Sequence, residues 1–386
     1  MKISKKADVI QPSLTRQLFN MAQNFEDVID LTLGDPDIAP SDIIKKAACD
    51  AILDGKTRYS ANAGLIQLRN AISKHVLQEY NIVADPNSEI LVTVGGMEAL
   101  YLTLSSIIDE GDEIIVHAPY YVNYVQMIKM CGGKPVIINT DDKNGFSLTS
   151  DIVKQKITNR TIGIIINNPC NPTGEVLNEK TLDELAEIVK ENNLIVISDE
   201  VYSSLIYDGQ KHHSIITREG MKEHTVLIDS VSKRFAMTGY RIGYAIAPSI
   251  LITNMTKMQE NIAACAPLPS QYAGIAAYTL CNKDNSLKNI FQKRRDYIYN
   301  AINNISGLNC RKPSATFYLF VNIEKTGLSS FSFAKKLLET KHVAVAPGIT
   351  YGEKYDNYIR IAYTLNIEKL REAVKRIEEF MDILKH

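Results

Sequence analysis

The sequence predicts an α/β protein with a mostly parallel sheet that is covered by helices. From about residue 90, short apolar runs alternate with helical patterns, which is typical of parallel strands joined by helices. The runs are four to six residues long and mostly apolar, as expected for strands that are buried on both faces. The helical pattern is clearest at Thr181–Glu191, between two of these runs.

The predicted elements follow one another through the middle of the chain. The first strand leads into an amphipathic helix at Met97–Ile108. An uncharged stretch at Asn261–Asn282 contains two prolines and several small residues, so we expect a buried loop and a helix there rather than a membrane span. The strand candidates are Ile90–Val94, Ile114–His117, Pro135–Asn139, Ile162–Asn167, Leu194–Ser198 and Val226–Asp229.

The two ends of the chain are predicted to form a second, smaller α/β domain. The first 45 residues do not join the alternation of strands and helices. The last hundred contain a long charged helix at Ser286–Asn304 and short strands at Phe317–Val321 and Tyr358–Ala362. We therefore predict a large domain over residues 46–285 and a small domain formed by residues 1–45 and 286–386.

Composition argues for a globular protein without nucleic-acid or membrane partners. Of 386 residues, 45% are hydrophobic, and 43 basic against 44 acidic residues give a net charge of -1. That balance offers no attraction to nucleic acid or an anionic membrane. The N-terminus lacks the apolar region of a secretory signal, and the six cysteines form no CxxC pair. We expect a cytoplasmic protein with reduced thiols.

Residues able to carry chemistry follow five of the strand candidates. In an open parallel sheet, ligands bind beyond the carboxyl ends of the strands. Because these ends share one edge, the sheet would gather the residues into one crevice. The residues are Gly95 and Gly96, Tyr120 and Tyr121, Asn171, Asp199 and Tyr202, and Ser230, Ser232 and Lys233.

Part of this set suits a phosphate group. Gly95 and Gly96 open a helix, where free N–H groups and the helix dipole favour an anion. Ser230, Ser232 and Arg241 add hydroxyl groups and a positive charge. Two glycines alone are more often a tight turn, so the glycines are informative only in combination with the rest.

Asp199 and Lys233 suit a nitrogen heterocycle and an imine linkage. Asp199 ends an apolar strand, and a buried carboxylate requires a partner such as a protonated ring nitrogen, an arginine or a helix terminus. At ~3 Å and an effective dielectric constant of ~20, the attraction to a ring cation is roughly 5 kcal/mol. Arg234 and Arg241 lie near Lys233 in the sequence, so positive charge is expected to favour the neutral amine that Schiff-base chemistry needs.

Motifs of several other enzyme classes are missing. No strand is followed by GxGxxG, Gly133 and Lys134 precede a proline and form no P-loop, and neither HExxH nor GxSxG occurs. His212 and His213 are the only adjacent histidines. Because they lie in a polar loop without metal-ligand spacing, we expect them to be solvated, and no metal site is predicted.

Seven motifs in order resemble the class I/II aminotransferases, which are pyridoxal 5'-phosphate (PLP) dependent enzymes of fold type I. The resemblance runs from about Leu31 to Thr364. The motifs are LTLGDPD (31–37), RYSANAGLIQLR (58–69), VTVGGMEAL (92–100), NNPCNPTG (167–174), SDEVY (198–202), SVSKRFAMTGYRIGY (230–244) and YIRIAY (358–363).

The resemblance implies a role for each matching residue. Lys233 would hold PLP as a Schiff base and then act as general base and acid, while Asp199 would hold the pyridinium nitrogen. Arg360 would bind the substrate carboxylate in a two-pronged salt bridge. The remaining implied contacts are Asn171 and Tyr202 at the 3-oxygen, Tyr121 stacked on the ring, Gly96, Met97, Ser230 and Arg241 at the phosphate, Gly34 over the substrate, and Tyr59 reaching the phosphate of the neighbouring subunit of a homodimer.

The same resemblance implies amino-group transfer from an L-amino acid to a 2-oxo acid such as 2-oxoglutarate. Met97 stands where related aspartate-using enzymes can carry a lysine, and Tyr240 replaces a common tryptophan. Together with Tyr120 and Tyr121, this favours apolar or aromatic donors, or a broad specificity. A PLP-dependent C–S β-lyase remains the alternative. A transcription regulator would need an added DNA-binding domain, for which the pattern leaves no room before residue 31.

Overall fold

The computed structural model of the chain describes residues 2–8, 10 and 12–385. The strands, in chain order, are β1 Ile29–Asp30, β2 Ile90–Thr93, β3 Glu113–Ala118, β4 Lys134–Asn139, β5 Thr161–Asn167, β6 Ile195–Asp199, β7 Thr225–Ser230, β8 Gly243–Ile246, β9 Asn309–Cys310, β10 Tyr318–Asn322, β11 Val343–Ala344, β12 Ala346–Pro347 and β13 Tyr358–Ala362. The α-helices are α1 Lys5–Asp8, α2 Leu14–Ala22, α3 Asp42–Leu53, α4 Ile66–Tyr80, α5 Gly95–Ile107, α6 Asn123–Met130, α7 Ser150–Lys154, α8 Glu179–Glu191, α9 Val231–Arg234, α10 Ser249–Ile262, α11 Leu268–Leu280, α12 Ser286–Asn303, α13 Ser330–Lys341 and α14 Ile367–Ile383.

A seven-stranded sheet organises the centre of the molecule. Its strand order is β2-β8-β7-β6-β5-β3-β4, and every neighbouring pair is parallel except the two that involve β8. The predicted α/β class and mostly parallel sheet are therefore confirmed. The antiparallel strand β8 was missed, because Gly243–Ile246 is a run of only four residues.

The apolar runs are explained by burial on both faces of this sheet. Successive side chains of a strand point to opposite faces. In β7, Val226 and Ile228 pack with the helix α5 side chains Leu100 and Leu104, whereas Leu227 packs on the other face with residues of α4 and α11. Both faces are covered by helices, so a polar residue is tolerated only at the strand ends, where the site forms.

A smaller antiparallel sheet is built from the C-terminal part of the chain. Its order is β12-β13-β10-β9, and Phe320 lies opposite Arg360 in the pairing of β10 with β13. The N-terminal strand β1 pairs in parallel with β11, so both ends of the chain meet here. The division of the chain into a large and a small domain, with the bounds given above, stays a prediction.

The uncharged stretch forms a loop and helix α11, which packs against α3 and α4. No helix among residues 2–8, 10 and 12–385 is both long and apolar enough to span a membrane.

The expectation that His212 would be solvated is wrong. Its side chain is only 7% exposed, and Nε2 lies 2.6 Å from Oε2 of the fully buried Glu200. Glu200 also accepts hydrogen bonds from Ser198 and Ser214. The buried carboxylate draws the histidine inwards, because an unpaired charge at this depth is costly.

Candidate active site

The carboxyl ends of the central strands open into a cavity of about 400 Å³. It lies between the central sheet and the residues contributed by both ends of the chain. The cavity is lined by almost every residue that the sequence predicted for the site: Gly34, Gly96, Met97, Tyr121, Asn171, Asp199, Tyr202, Ser230, Lys233, Arg241 and Arg360. Three predicted residues do not line it: Gly95, Tyr120, and Tyr59, whose side chain is 87% exposed.

Lys233 extends from helix α9 into this cavity. Its Nζ donates a hydrogen bond of 2.7 Å to the carbonyl oxygen of Gly34. Burial lowers the pKa of Lys233 to about 8, with Arg360 and Arg241 acting in the same direction and Asp35 against it. The neutral amine predicted from the sequence is thus favoured, but Arg234 is not its cause, because Arg234 does not line this cavity.

Asp199 lies at the end of β6, in the same cavity as Lys233. Its carboxylate accepts a hydrogen bond of 2.5 Å from the Tyr124 hydroxyl and a longer one of 3.4 Å from the Val201 N–H. Burial raises the pKa of Asp199 to about 6. Among the described residues it forms no ion pair, so the cavity holds a carboxylate that a protonated ring nitrogen would match.

Arg360 is a buried guanidinium without a carboxylate. It projects from β13, is 6% exposed, and donates to Asn171 Oδ1 at 2.9 Å and to the Thr32 carbonyl. The rings of Tyr318 and Tyr351 lie 4.1 and 5.1 Å from its Cζ. Arg360 Nε has no hydrogen-bond partner in the described part of the chain. A charge held in this way is suited to an incoming carboxylate.

The opposite end of the cavity suits a phosphate group. Helix α5 begins at Gly95, and the N–H groups of its first turn, including Gly96 and Met97, have no partner within the helix. Gly95 has φ +74°, and a Cβ there would collide with the Arg241 guanidinium, so glycine allows the two groups to approach. Ser230 ends β7 beside them, with its buried hydroxyl accepting from the Ser232 N–H at 3.3 Å.

Tyr121 forms one wall, held by Met97 and by Asn123, which the sequence did not identify. Asn123 Nδ2 donates to the Tyr121 hydroxyl at 2.9 Å, and both groups contact the sulfur of Met97. The phenol ring is thereby fixed as a flat surface for stacking. The prediction that Tyr120 contributes to the entrance is wrong, because its backbone N–H is bonded to Tyr351 and its side chain does not line the cavity.

Several lining residues were missed by sequence reasoning. Tyr124 holds Asp199, and Asn167 accepts the Asn171 N–H at 2.7 Å. Tyr318 shares a hydrogen bond of 2.9 Å with Tyr202. A Cβ at Gly34 would collide with the Tyr318 hydroxyl, which gives a steric reason for glycine at that position. Tyr124 and Asn167 stand near strand ends and could have been included on that criterion.

Comparison with known proteins agrees with the arrangement of these residues. Residues 26–377 match the family model "Aminotransferase class I and II". The chain is 40% identical to an aspartate aminotransferase of Pyrococcus abyssi, over 99% of this chain and 98% of that protein. It is 36% identical to aromatic-amino-acid aminotransferase 2 of Thermococcus litoralis, over 99% and 98%. The crystal structure of an aromatic aminotransferase from Pyrococcus horikoshii superimposes with a TM-score of 0.91 at 38% identity, over 96% of this chain and 99% of that chain.

Proposed function

The chain belongs to the class I and II aminotransferase family and is an amino-group transferase, and on that premise we propose that it binds PLP through Lys233. The observation that carries the proposal is the combination of three groups in one cavity. They are a lysine with a lowered pKa, and a buried carboxylate and a buried guanidinium that form no ion pair with any described residue. Each would gain the partner it lacks from PLP or from an amino acid.

Residues of this chain fit the parts of the cofactor. Asp199 would hold a protonated ring nitrogen, with Tyr124 orienting the carboxylate. The first turn of α5, Ser230 and Arg241 would hold the phosphate. Asn171 and Tyr202 would donate to the 3-oxygen, and Tyr121 would lie against the ring. When bound, PLP supplies an electron sink for the charge left on the substrate α-carbon.

The chain's own proton transfer is assigned to Lys233. Its Nζ hydrogen-bonds the Gly34 carbonyl, so the amine is held at the side of the cavity towards the proposed substrate position. With a pKa of about 8, an amine free of the cofactor can take the proton from the substrate α-carbon and return it near neutral pH. Arg360 would orient the α-carboxylate for this transfer, with Gly34 closing the cavity above it.

We propose apolar or aromatic L-amino acids, or a broad range, as donors and a 2-oxo acid such as 2-oxoglutarate as acceptor. Met97 and Tyr121 line the cavity and carry no charge that would hold a second carboxylate. The relatives named above include both an aspartate and an aromatic enzyme, which supports a broad range. A panel of amino acids, each mixed with the PLP-loaded protein and 2-oxoglutarate, would rank the donors by the initial rate of glutamate formation.

A homodimer is the proposed assembly. Tyr59 lies outside the cavity of its own chain and is 87% exposed, as expected for a residue that completes a neighbour's site. Leu53 and Ile66, on either side of it in the sequence, are also exposed, at 84% and 37%. Exposed apolar side chains of this kind favour a protein interface. Light scattering of the purified protein would measure the mass of the assembly.

Attachment of the cofactor can be tested without measuring turnover. The protein is incubated with PLP, reduced with borohydride, digested, and analysed by mass spectrometry. The added mass is expected on the peptide that contains Lys233 and on no other lysine. Lys233→Ala is the test variant. The control is Lys74→Ala, because Lys74 lies on helix α4 outside the cavity. Modification of Lys233→Ala to the same extent as the control would refute the assignment.

Transamination itself is tested in the half-reaction. The PLP-loaded protein is mixed with an amino acid and no 2-oxo acid, and the visible absorbance of the lysine-bound cofactor is followed. We expect the absorbance to fall and to return when a 2-oxo acid is added. Accumulation of pyruvate and ammonia with an unchanged spectrum would instead identify the C–S β-lyase reaction.

A further inference from the structure

A second, larger cavity lies outside the site described above. Its volume is about 840 Å³, within the range of small-molecule sites. It is bordered by the end of helix α4, the segment after Tyr202, the loop that carries His212, and the start of α12. None of the residues assigned to the cofactor or the substrate lines it.

At its base lies Arg234, the residue after Lys233. The Arg234 side chain is 9% exposed, and its only ion pair among the described residues is a long contact of 3.9 Å between Nη1 and Glu79 Oε1. Its Nε has no hydrogen-bond partner in that part of the chain. A guanidinium buried to this extent normally has a well-aligned anion, because desolvation of an unpaired charge is costly.

Basic side chains also dominate the rim. Lys211, Lys283 and Lys288 line the cavity, and none of them forms an ion pair with a described residue. The acidic lining residues are Glu79 and Asp284, so four basic side chains face two acidic ones. The cavity is therefore positively charged, although the chain as a whole has a net charge of -1.

Four further buried polar atoms around the cavity lack hydrogen-bond partners within the described residues. They are Nδ1 of His212, Oδ1 of Asn282 and the hydroxyl oxygens of Ser204 and Tyr80. Buried polar atoms are rarely left unpaired, so several around one cavity indicate groups that await a ligand or its bound water. His212 itself is fixed by its contact with Glu200, which presents a rigid wall to the cavity.

From these observations we propose that the second cavity binds a small molecule bearing a phosphate group. A phosphate carries a charge of about -1.5 to -2 near pH 7, which matches the excess of two basic side chains. Arg234 would form the two-pronged contact at the base, and the three lysines would attract and hold the remaining charge at the rim. This proposal does not depend on the cofactor or on the proposed reaction.

Calorimetric titration with inorganic phosphate tests the site on the full chain. It is carried out with saturating PLP, so that the proposed cofactor phosphate site is filled, and repeated without PLP. Arg234 is buried and its substitution could unfold the protein, so the test variant is Lys211→Gln/Lys283→Gln/Lys288→Gln. Removing three rim charges is expected to weaken phosphate binding by about tenfold.

The matched control removes three unpaired lysines from a different cavity. Lys143, Lys325 and Lys354 are exposed, form no ion pair with a described residue, and line a separate cavity beside β10. Lys143→Gln/Lys325→Gln/Lys354→Gln has the same net charge as the test variant and is expected to bind phosphate as the unaltered protein does. Equal affinity in the two variants, or no saturable binding in the unaltered protein, would overturn the proposal.

Two further probes define the ligand class. Glycerol 3-phosphate is expected to bind, and its binding should depend on the three rim lysines as that of inorganic phosphate does. A higher affinity than that of inorganic phosphate would assign the site to a phosphate ester. If citrate bound and its binding depended on the three lysines, while phosphate did not bind, the site would be assigned to a carboxylate and the phosphate proposal would be overturned. If PLP failed to attach to Lys233, the proposed function would fall, while the lysine dependence of phosphate binding would still be measured.

Discussion

Asp199→Asn is predicted to stabilise the cofactor-free protein, although it removes a group proposed for catalysis. Burial raises the pKa of Asp199 from about 3.8 to about 6, so keeping the carboxylate ionised lowers the stability of the folded protein. The Tyr124 hydroxyl, which donates to the carboxylate at 2.5 Å, can also donate to the amide oxygen of asparagine. The substitution therefore removes the charge and keeps the shorter of the two hydrogen bonds to this side chain.

The magnitude and sign follow from the linkage between proton binding and folding. Because the folded pKa lies about two units above the unfolded one, the folded chain binds the proton more tightly. The loss of stability caused by the buried charge is absent below the unfolded pKa, near pH 4, and is fully present above the folded pKa, near pH 6. Two units correspond to about 3 kcal/mol, an upper value because solvent in the cavity screens the charge. Asparagine avoids this penalty.

The assay compares urea unfolding midpoints of cofactor-free protein at pH 8 and pH 4. Asp199→Asn is expected to unfold at higher urea than the unaltered protein at pH 8, with the difference shrinking towards zero at pH 4. Asp109→Asn is the control, since Asp109 is exposed and its side chain has no hydrogen bond among the described residues. An Asp199→Asn variant that is destabilised at pH 8, or equally stabilised at both pH values, would refute the reasoning.

Three further predictions address the cavity. Arg360→Gln should lower kcat/KM for every donor by about 10²- to 10⁴-fold, because the substrate carboxylate loses a buried charge partner worth roughly 3–5 kcal/mol; steady-state kinetics with an unchanged kcat/KM would contradict this. The rate of PLP attachment to cofactor-free protein should rise with pH to a midpoint near 8, where Lys233 becomes neutral, and a midpoint near 10 by stopped-flow absorbance would contradict the lowered pKa. Tyr59→Phe should weaken PLP binding by about tenfold, the loss of one hydrogen bond to a charged group, while light scattering still gives a dimer; equilibrium dialysis showing unchanged affinity would remove Tyr59 from the site.

The residues at the strand ends were predictable because sheet geometry fixes where they lie. Parallel strands bring their carboxyl ends to one edge, so Asp199 at the end of β6 and Ser230 at the end of β7 had to be close together once the strands were recognised. Tyr318 could not be found in this way. It lies 116 residues from its hydrogen-bond partner Tyr202, in the other sheet, and no local pattern specifies how the two sheets pack.

The contacts of Arg360 also could not be predicted from the sequence, because one of its partners lies even further away along the chain. Its guanidinium donates to the carbonyl of Thr32, which is 328 residues away in the sequence. The contact exists because β1 pairs with β11, and so brings the first residues of the chain beside the C-terminal sheet. Sequence motifs indicated Arg360 and Gly34 separately, but only the packing of both chain ends makes them parts of one cavity.

Lys233 and Arg234 show why neighbours in the sequence are a poor guide to electrostatics. Consecutive residues of a helix point about 100° apart, so two adjacent cations on α9 need not share an environment. Lys233 enters the proposed active site, whereas Arg234 enters the second cavity beside Glu79. The amine is instead made less basic by burial and by Arg360, which lies 127 positions further along the chain. The direction of the pKa shift and the contribution of Arg241 were predictable from the sequence, whereas the contribution of Arg360 is identified only by the fold.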